Sequence, residues 1–246
     1  MRPQTRAIIF GGIGTLVETS ELQREAFNKT FDEAKLGWHW SEAVYQQLLT
    51  LSGGRRRLRA YAQQIGAAIP VQHVEALHAR KSEIFRQLLT DTPLMPRPGV
   101  QHLLNKARAS DIRLAVATTT AKANVLGLAD AVNLDMSAFE VVMHRALVES
   151  PKPDPEVYRR CIEALGVAAD DAVAIEDSQS GVAAAIAAGV TVIAVPGANT
   201  QFQDYSAAAA VVDMENPLSL DHRLTLDLCE SVLAGSPWRR AVSALG

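Results

Sequence analysis

Four short apolar runs, at Ile112–Ala117, Val141–Met143, Ala172–Ile175 and Val190–Val195, alternate with segments whose apolar residues recur at helical spacing. That alternation allows few folds. Strands separated by helices cannot pair as hairpins, so each returns through a crossover and the sheet is parallel. Runs that are apolar at nearly every position are strands covered on both faces. The intervening helices carry their own punctuation. One opens at Pro98-Gly99 and continues through Leu103, Leu104 and Ala107, and another occupies about 121–129. Asp154-Pro155 caps a third that Gly166 ends, and Ser178–Ala188 forms a fourth closed by Gly189. Ala7–Phe10, halted at Gly11-Gly12, is a fifth strand of the same kind. The fold class is therefore α/β, a doubly wound parallel sheet.

The first strand is cut off from the others by a long stretch without strand character. Ser20-Glu21-Leu22-Gln23 reads as a capping box, followed by Leu22, Ala26, Phe27 and Phe31 on one helical face. Residues 41–90 continue as helix, with Val74, Leu77, His78, Ile84, Phe85, Leu88 and Leu89 as one stripe. This predicts a core domain split into residues 1–17 and 96–246, with a helical cap inserted over 18–95. His78, His39 and the Trp38-His39-Trp40 triplet read as packing within that cap. The alanine-rich runs 183–188 and 207–210 fit close helix packing and a loop or edge.

Composition removes several function classes. Of 246 residues, 48% are hydrophobic and 21% charged, enough apolar surface for a packed core. Lys plus Arg number 24 against 27 Asp plus Glu, a net charge of −3, which predicts neither nucleic-acid nor membrane partners. No uncharged apolar stretch is long enough to span a bilayer, and MRPQTRAIIFGG lacks the apolar core of a signal peptide. Cys161 and Cys229 read as buried free thiols, so the expected location is cytoplasmic. The six histidines show no metal-ligand spacing, and a monomer is the favoured state.

In an open parallel sheet, function collects beyond the carboxyl ends of the strands. Those ends carry Gly11-Gly12-Ile13-Gly14-Thr15, Thr118-Thr119-Thr120, Lys152 between prolines, and Glu176-Asp177-Ser178. A hydroxyl, an ammonium and two carboxylates on one rim suit a phosphoryl group and a divalent cation. Singly, each has a plainer reading. Thr118–Thr120 would cap a helix, Lys152 would be a solvated loop residue, and Glu176-Asp177 would face a helix dipole. A dinucleotide site fails, because Gly12-x-Gly14 is followed by Val17 and Asp32 sits inside a helix.

Taken together, IIFGGIGTLVETSELQREAFN, LTLSGGRRRLRAY, RPGVQHLL, RLAVATTT, KPDPEVY and AIEDSQSGVAAAIAAG resemble the haloacid-dehalogenase-like (HAD) phosphatases with a helical cap. The likeness is to the branch of β-phosphoglucomutase and the Calvin-cycle xylulose-1,5-bisphosphate phosphatases. It implies that Thr118 and Thr119 bind phosphate, that Lys152 neutralises it, and that Glu176 and Asp177 hold Mg²⁺. It also implies a small anionic sugar phosphate, or phosphate, as ligand, with Arg55 and Gln23 as cap contacts. Arg55-Arg56-Arg57 would meet a second phosphate or simply form a solvated basic face.

The first motif departs from the family. Asp-x-Asp-Gly-Thr is expected, and alignment on Gly14-Thr15 puts Gly11 at the nucleophile and Ile13 at the acid/base. Glycine cannot attack phosphorus or bind a metal through a side chain, and isoleucine cannot transfer a proton. Gln23 stands where relatives carry a histidine, and Glu18 is the nearest other acid. The resemblance thus implies sugar-phosphate phosphatase ancestry with catalysis impaired or lost and Mg²⁺ binding weak or lost. Its alternatives are an active Mg²⁺-dependent phosphatase or phosphomutase and a non-catalytic regulatory binding protein.

Overall fold

The computed structural model of the chain describes residues 5–213 and 224–235. Its six strands are β1 (Ala7–Phe10), β2 (Arg113–Ala117), β3 (Val141–Met143), β4 (Ala172–Glu176), β5 (Thr191–Ala194) and β6 (Ala210–Val211). They form one sheet in the order β3-β2-β1-β4-β5-β6, and every neighbouring pair is parallel. β1 lies centrally, with Phe10 in register with Val116 on one side and Ile175 on the other. Strand order reverses there, so a crevice opens beyond its carboxyl end.

Alternate residues of each strand face opposite layers. Ile8, Phe10, Leu114, Val116, Val173 and Ile175 enter one apolar cluster, with α6 (Val100–Ala109), α7 (Lys122–Ala131) and α10 (Leu226–Leu233) packed over it. Ala7, Ile9, Ala115, Ala117, Ala172 and Ala174 enter the other, under α8 (Glu156–Leu165) and α9 (Gln179–Ala187). The small side chains on this second face bring those helices close to the sheet. Gly166 ends α8 at φ 64, a left-handed conformation that favours glycine. Asp154 Oδ1 accepts from Glu156 N at 2.9 Å, and Ser178 caps α9 through Gly181 N at 3.2 Å. β6 arises at the end of the 207–210 alanine run, as a two-residue edge.

After β1 the chain makes one helical turn, α1 (Ile13–Leu16), and enters α2 (Ser20–Glu33), α3 (Glu42–Leu48), α4 (Gly54–Gln64) and α5 (Val71–Asp91). These four helices hold a separate cluster that includes Phe27, Phe31, Trp40, Tyr45, Leu58 and Val74. Trp40 is its centre, with ring centroids 4.3 Å from Phe27 and 5.1 Å from Phe31. Such aromatic pairs add about 0.5–1.5 kcal/mol each beyond the area they bury. The expected capping box does not form. Glu18 Oε1 accepts from Ser20 N at 2.7 Å, while the Ser20 hydroxyl meets Asn199 Nδ2 at 2.8 Å and Gln23 turns to Lys81. A carboxylate is the stronger acceptor for a helix N-terminal N–H, so Glu18 takes the place of the Gln23 amide oxygen, and Gln23 N donates instead to Thr19 O at 2.9 Å. No described helix is long and apolar enough to cross a membrane.

Candidate functional site

A cleft of about 690 Å³ separates the helical block from the carboxyl end of the sheet. Its floor is the Gly11–Gly14 turn, Thr118–Thr120 and Glu176–Ser178, which are the strand ends singled out above. Its roof comes from Gln23, Ser52–Arg57, His78 and Lys81. Polar ties close the two halves on each other. Ser52 Oγ lies 3.2 Å from Thr119 Oγ1, Arg86 Nη1 donates to Asn124 Oδ1 at 3.0 Å, and Asn199 Nδ2 donates to Glu21 Oε1 at 2.6 Å.

Thr118 ends β2 and is buried; its hydroxyl accepts from Thr120 N at 3.0 Å, which shapes the turn into α7. Lys152 comes to the same strand ends but is only 4% exposed and does not line the cleft. Its ammonium donates to the Gly11 carbonyl, to Ala117 O at 2.8 Å and to Glu176 Oε1 at 2.6 Å. Three acceptors saturate its three N–H groups. Tyr158, on α8, donates its hydroxyl to the same Glu176 oxygen. Burial and the Glu176 charge raise the Tyr158 phenol well above its ordinary range, so it remains a donor.

Glu176 is the hinge of this arrangement. Its carboxylate sits between Gly11 and Gly181 so closely that a Cβ on either glycine would overlap it. A side chain at position 11 and this Glu176 conformer exclude one another. Ile13, 7% exposed, has joined the apolar cluster with Phe10 and Leu16. Asp177 is half-buried, and its carboxyl is pushed up to about 6 by burial and by Glu176 beside it.

Mg²⁺ takes an octahedron of oxygens, of which a protein commonly supplies one or two carboxylates and water and substrate phosphates the rest. Glu176 Oε1 already takes two donors, and Oε2 is buried without a hydrogen-bond partner, boxed in by two glycine backbones. Among the described residues no group of three or more His, Cys, Asp or Glu is placed to hold a metal.

The cleft is nevertheless suited to an anion. Arg55, Arg56, Arg57, Arg59, Arg86, Arg145 and Lys81 line it, against Glu18, Glu83, Glu176 and Asp177. Arg55 is committed to Glu75. Arg56 and Arg57 form no ion pair among the described residues; they donate to backbone carbonyls of Lys152 (3.3 Å) and Leu51 (2.9 Å). Sequence reading passed over Lys81, Tyr158, Arg86 and Ser52. Lys81 did carry a signal, since it falls in the apolar stripe between His78 and Ile84.

A family model described as haloacid dehalogenase-like hydrolase matches residues 8–195. The protein CbbY of Rhodobacter capsulatus is 37% identical over 207 residues, covering 83% of this chain and 91% of that protein. A phosphorylated carbohydrates phosphatase of Thermotoga maritima is 29% identical over 185 residues, covering 75% and 82%. Among solved structures, CbbY of Rhodobacter sphaeroides in complex with phosphate superposes at a TM-score of 0.81, with 35% identity, covering 86% of this chain and 95% of that one. A variant of that protein in complex with xylulose-(1,5)bisphosphate superposes equally well.

Proposed function

Because the chain belongs to the haloacid dehalogenase-like hydrolase family but has Gly11 and Ile13 where its sequence likeness calls for aspartates, we propose that it binds a small phosphorylated sugar without hydrolysing it. One observation carries this reading: the Glu176 carboxylate fills the space beside Gly11 and is the buried counter-ion of Lys152. In a working site that ammonium would balance a nucleophile and a phosphoryl group. Here it is consumed inside the protein, and Glu176 is consumed with it. Mg²⁺ binding is weak or lost for the same reason. Asp177 and the Thr118 and Thr119 hydroxyls remain at the floor, and Arg56 and Arg57 supply the uncompensated charge above them.

The ligand class follows from size and charge. A cleft of about 690 Å³ with basic walls takes a sugar bearing one or two phosphates. The similarity to proteins solved with phosphate and with xylulose bisphosphate supports the same class. In this reading residues 18–95 act as a cap over a core of residues 1–17 and 96–246, and the protein works as a cytoplasmic monomer. Thermal-shift titration with xylulose-1,5-bisphosphate and with inorganic phosphate, each with and without Mg²⁺, tests it. Stabilisation by the bisphosphate that is independent of Mg²⁺ is the expected result. Stabilisation only when Mg²⁺ is present would overturn the reading.

A further inference from the structure

Among the described residues, Lys81 is a buried ammonium with no counter-ion. It lies on α5 within an otherwise apolar stripe and is 5% exposed, yet its side chain lines the cleft. Its Nζ sits 4.8 Å from the ring centroids of both Phe27 and Phe85. Its one hydrogen bond goes to the Gln23 amide oxygen, and it forms no ion pair among the described residues. Cations share its cleft, Glu18 and Asp177 line that cleft without bonding to it, and nearby glutamates of α2 and α5 are already paired. Arg55 and Arg57 approach from α4, and Arg86 is on α5 itself. On α2, Glu21 binds Arg24 and Glu33 binds Arg80, while Glu83 of α5 also binds Arg80. His78, one turn back on α5, is held neutral, its imidazole lowered to about 3 by burial and the neighbouring cations. Elementary electrostatics disfavours a second proton charge here. Burial and Arg57 bring the Lys81 ammonium down to about 7. Lys152 is the contrast: equally buried, but held by a carboxylate and two carbonyls.

We propose that Lys81 is a nucleophilic amine that captures a small anion bearing an aldehyde or ketone as a reversible imine. The Nζ lone pair adds to the carbonyl carbon while the C=O pair moves to oxygen, and one proton passes from nitrogen to that oxygen. The resulting carbinolamine loses its hydroxyl with a second proton as water, leaving C=N; water reverses the step. No oxidant or reductant enters. The basic walls select the anion and the flanking phenylalanine rings keep the amine dry. The inference rests on the cleft being a site for small phosphorylated ligands, and adds that an open-chain carbonyl is what Lys81 recognises.

Pyridoxal 5′-phosphate is the probe, with pyridoxine 5′-phosphate as its counterpart of like charge that lacks the carbonyl. The full-length protein is incubated with the aldehyde, reduced with borohydride and mapped by peptide mass spectrometry over its six lysines. The expected result is an adduct on Lys81 at least tenfold above any other lysine and absent in Lys81→Arg. Its rate of formation should rise about tenfold from pH 6 to pH 8 and then level. An ordinary lysine, titrating near 10.4, gains about a hundredfold over that interval without levelling. Mapping of the wild type decides the matter even where the variant fails to fold. Stabilisation by pyridoxine 5′-phosphate with Lys81 left unmodified by the aldehyde would overturn the imine and leave the anion site standing. Adducts spread over exposed lysines, with no thermal shift from either compound, would overturn both.

Discussion

Replacing Lys152 by methionine tests whether this lysine is an internal strut or a ligand contact. The substitution keeps the stem and removes the ammonium, and with it the bonds to the Gly11 and Ala117 carbonyls and the 2.6 Å pair with Glu176. Glu176, 1% exposed, is then left with Tyr158 alone. Removing one partner of a buried pair costs about 3–5 kcal/mol, because the other charge stays buried and uncompensated. In a chain of this length each kcal/mol moves the melting midpoint by about 2–4 °C, so a fall of roughly 6–20 °C is expected. Guanidinium titration at pH 7 gives the free energy directly. Lys152→Met/Glu176→Gln removes both charges and should cost less than the two single changes added, by about 2–3 kcal/mol. A solvated loop lysine would lose under about 0.5 kcal/mol. A Lys152→Met loss that small, with no coupling in the cycle, would refute the internal pairing and every conclusion drawn from it.

Tyr158→Phe deletes a hydrogen bond to a buried carboxylate and should cost about 1.5–3 kcal/mol in the same titration, with ligand binding retained. Arg57→Met should weaken bisphosphate binding about 10–100-fold, since a charge-assisted contact is worth about 1.5–3 kcal/mol, while stability changes little. Stability should depend on pH through His78 and Lys81, whose folded forms both release protons more easily than the unfolded chain. The unfolded chain binds the extra proton between about 3 and 6.5 for His78 and between about 7 and 10.5 for Lys81. Stability therefore falls as pH drops through the first window and rises with pH through the second, with a slope of at most about 1.4 kcal/mol per pH unit for each group. Denaturation midpoints across pH 4–10 measure it, and His78→Gln should flatten the acid limb.

The sheet was legible because its information is local. Buried parallel strands are apolar throughout, and Gly166 or Gly189 ends a helix by a backbone conformation that sequence announces. The floor of the cleft was legible too, because strand-end residues converge in any doubly wound sheet, wherever they fall in sequence. What the sequence did not reveal is competition. Ser20 and Gln23 match a capping box, but Glu18 is the better acceptor and Lys81 claims Gln23. Lys152 and Glu176 read as two separate ligand-binding groups, whereas with no side chain at Gly11 they bind each other. Tyr158 lies within KPDPEVY, yet its role depends on α8 packing under the end of β4, which no local pattern encodes. Arg55 was favoured over Arg56 and Arg57, and only the position of Glu75 separates them.

In the function proposed above, the floor of this cleft has lost its chemistry while the fold around it persists. The most direct measurement is Mg²⁺-dependent phosphate release from xylulose-1,5-bisphosphate and a panel of sugar phosphates. Wild type, Gly11→Asp, Ile13→Asp and the double variant are assayed, with the Thermotoga maritima phosphorylated carbohydrates phosphatase alongside. Loss of a covalent nucleophile removes on the order of 10⁶ in rate, so wild type should show no release above background. Each single variant should stay near it, and only the double variant, in which Glu176 must swing away from position 11, should gain measurable turnover. Wild-type release within tenfold of the Thermotoga enzyme, abolished by Asp177→Asn, would show that the floor still performs the chemistry.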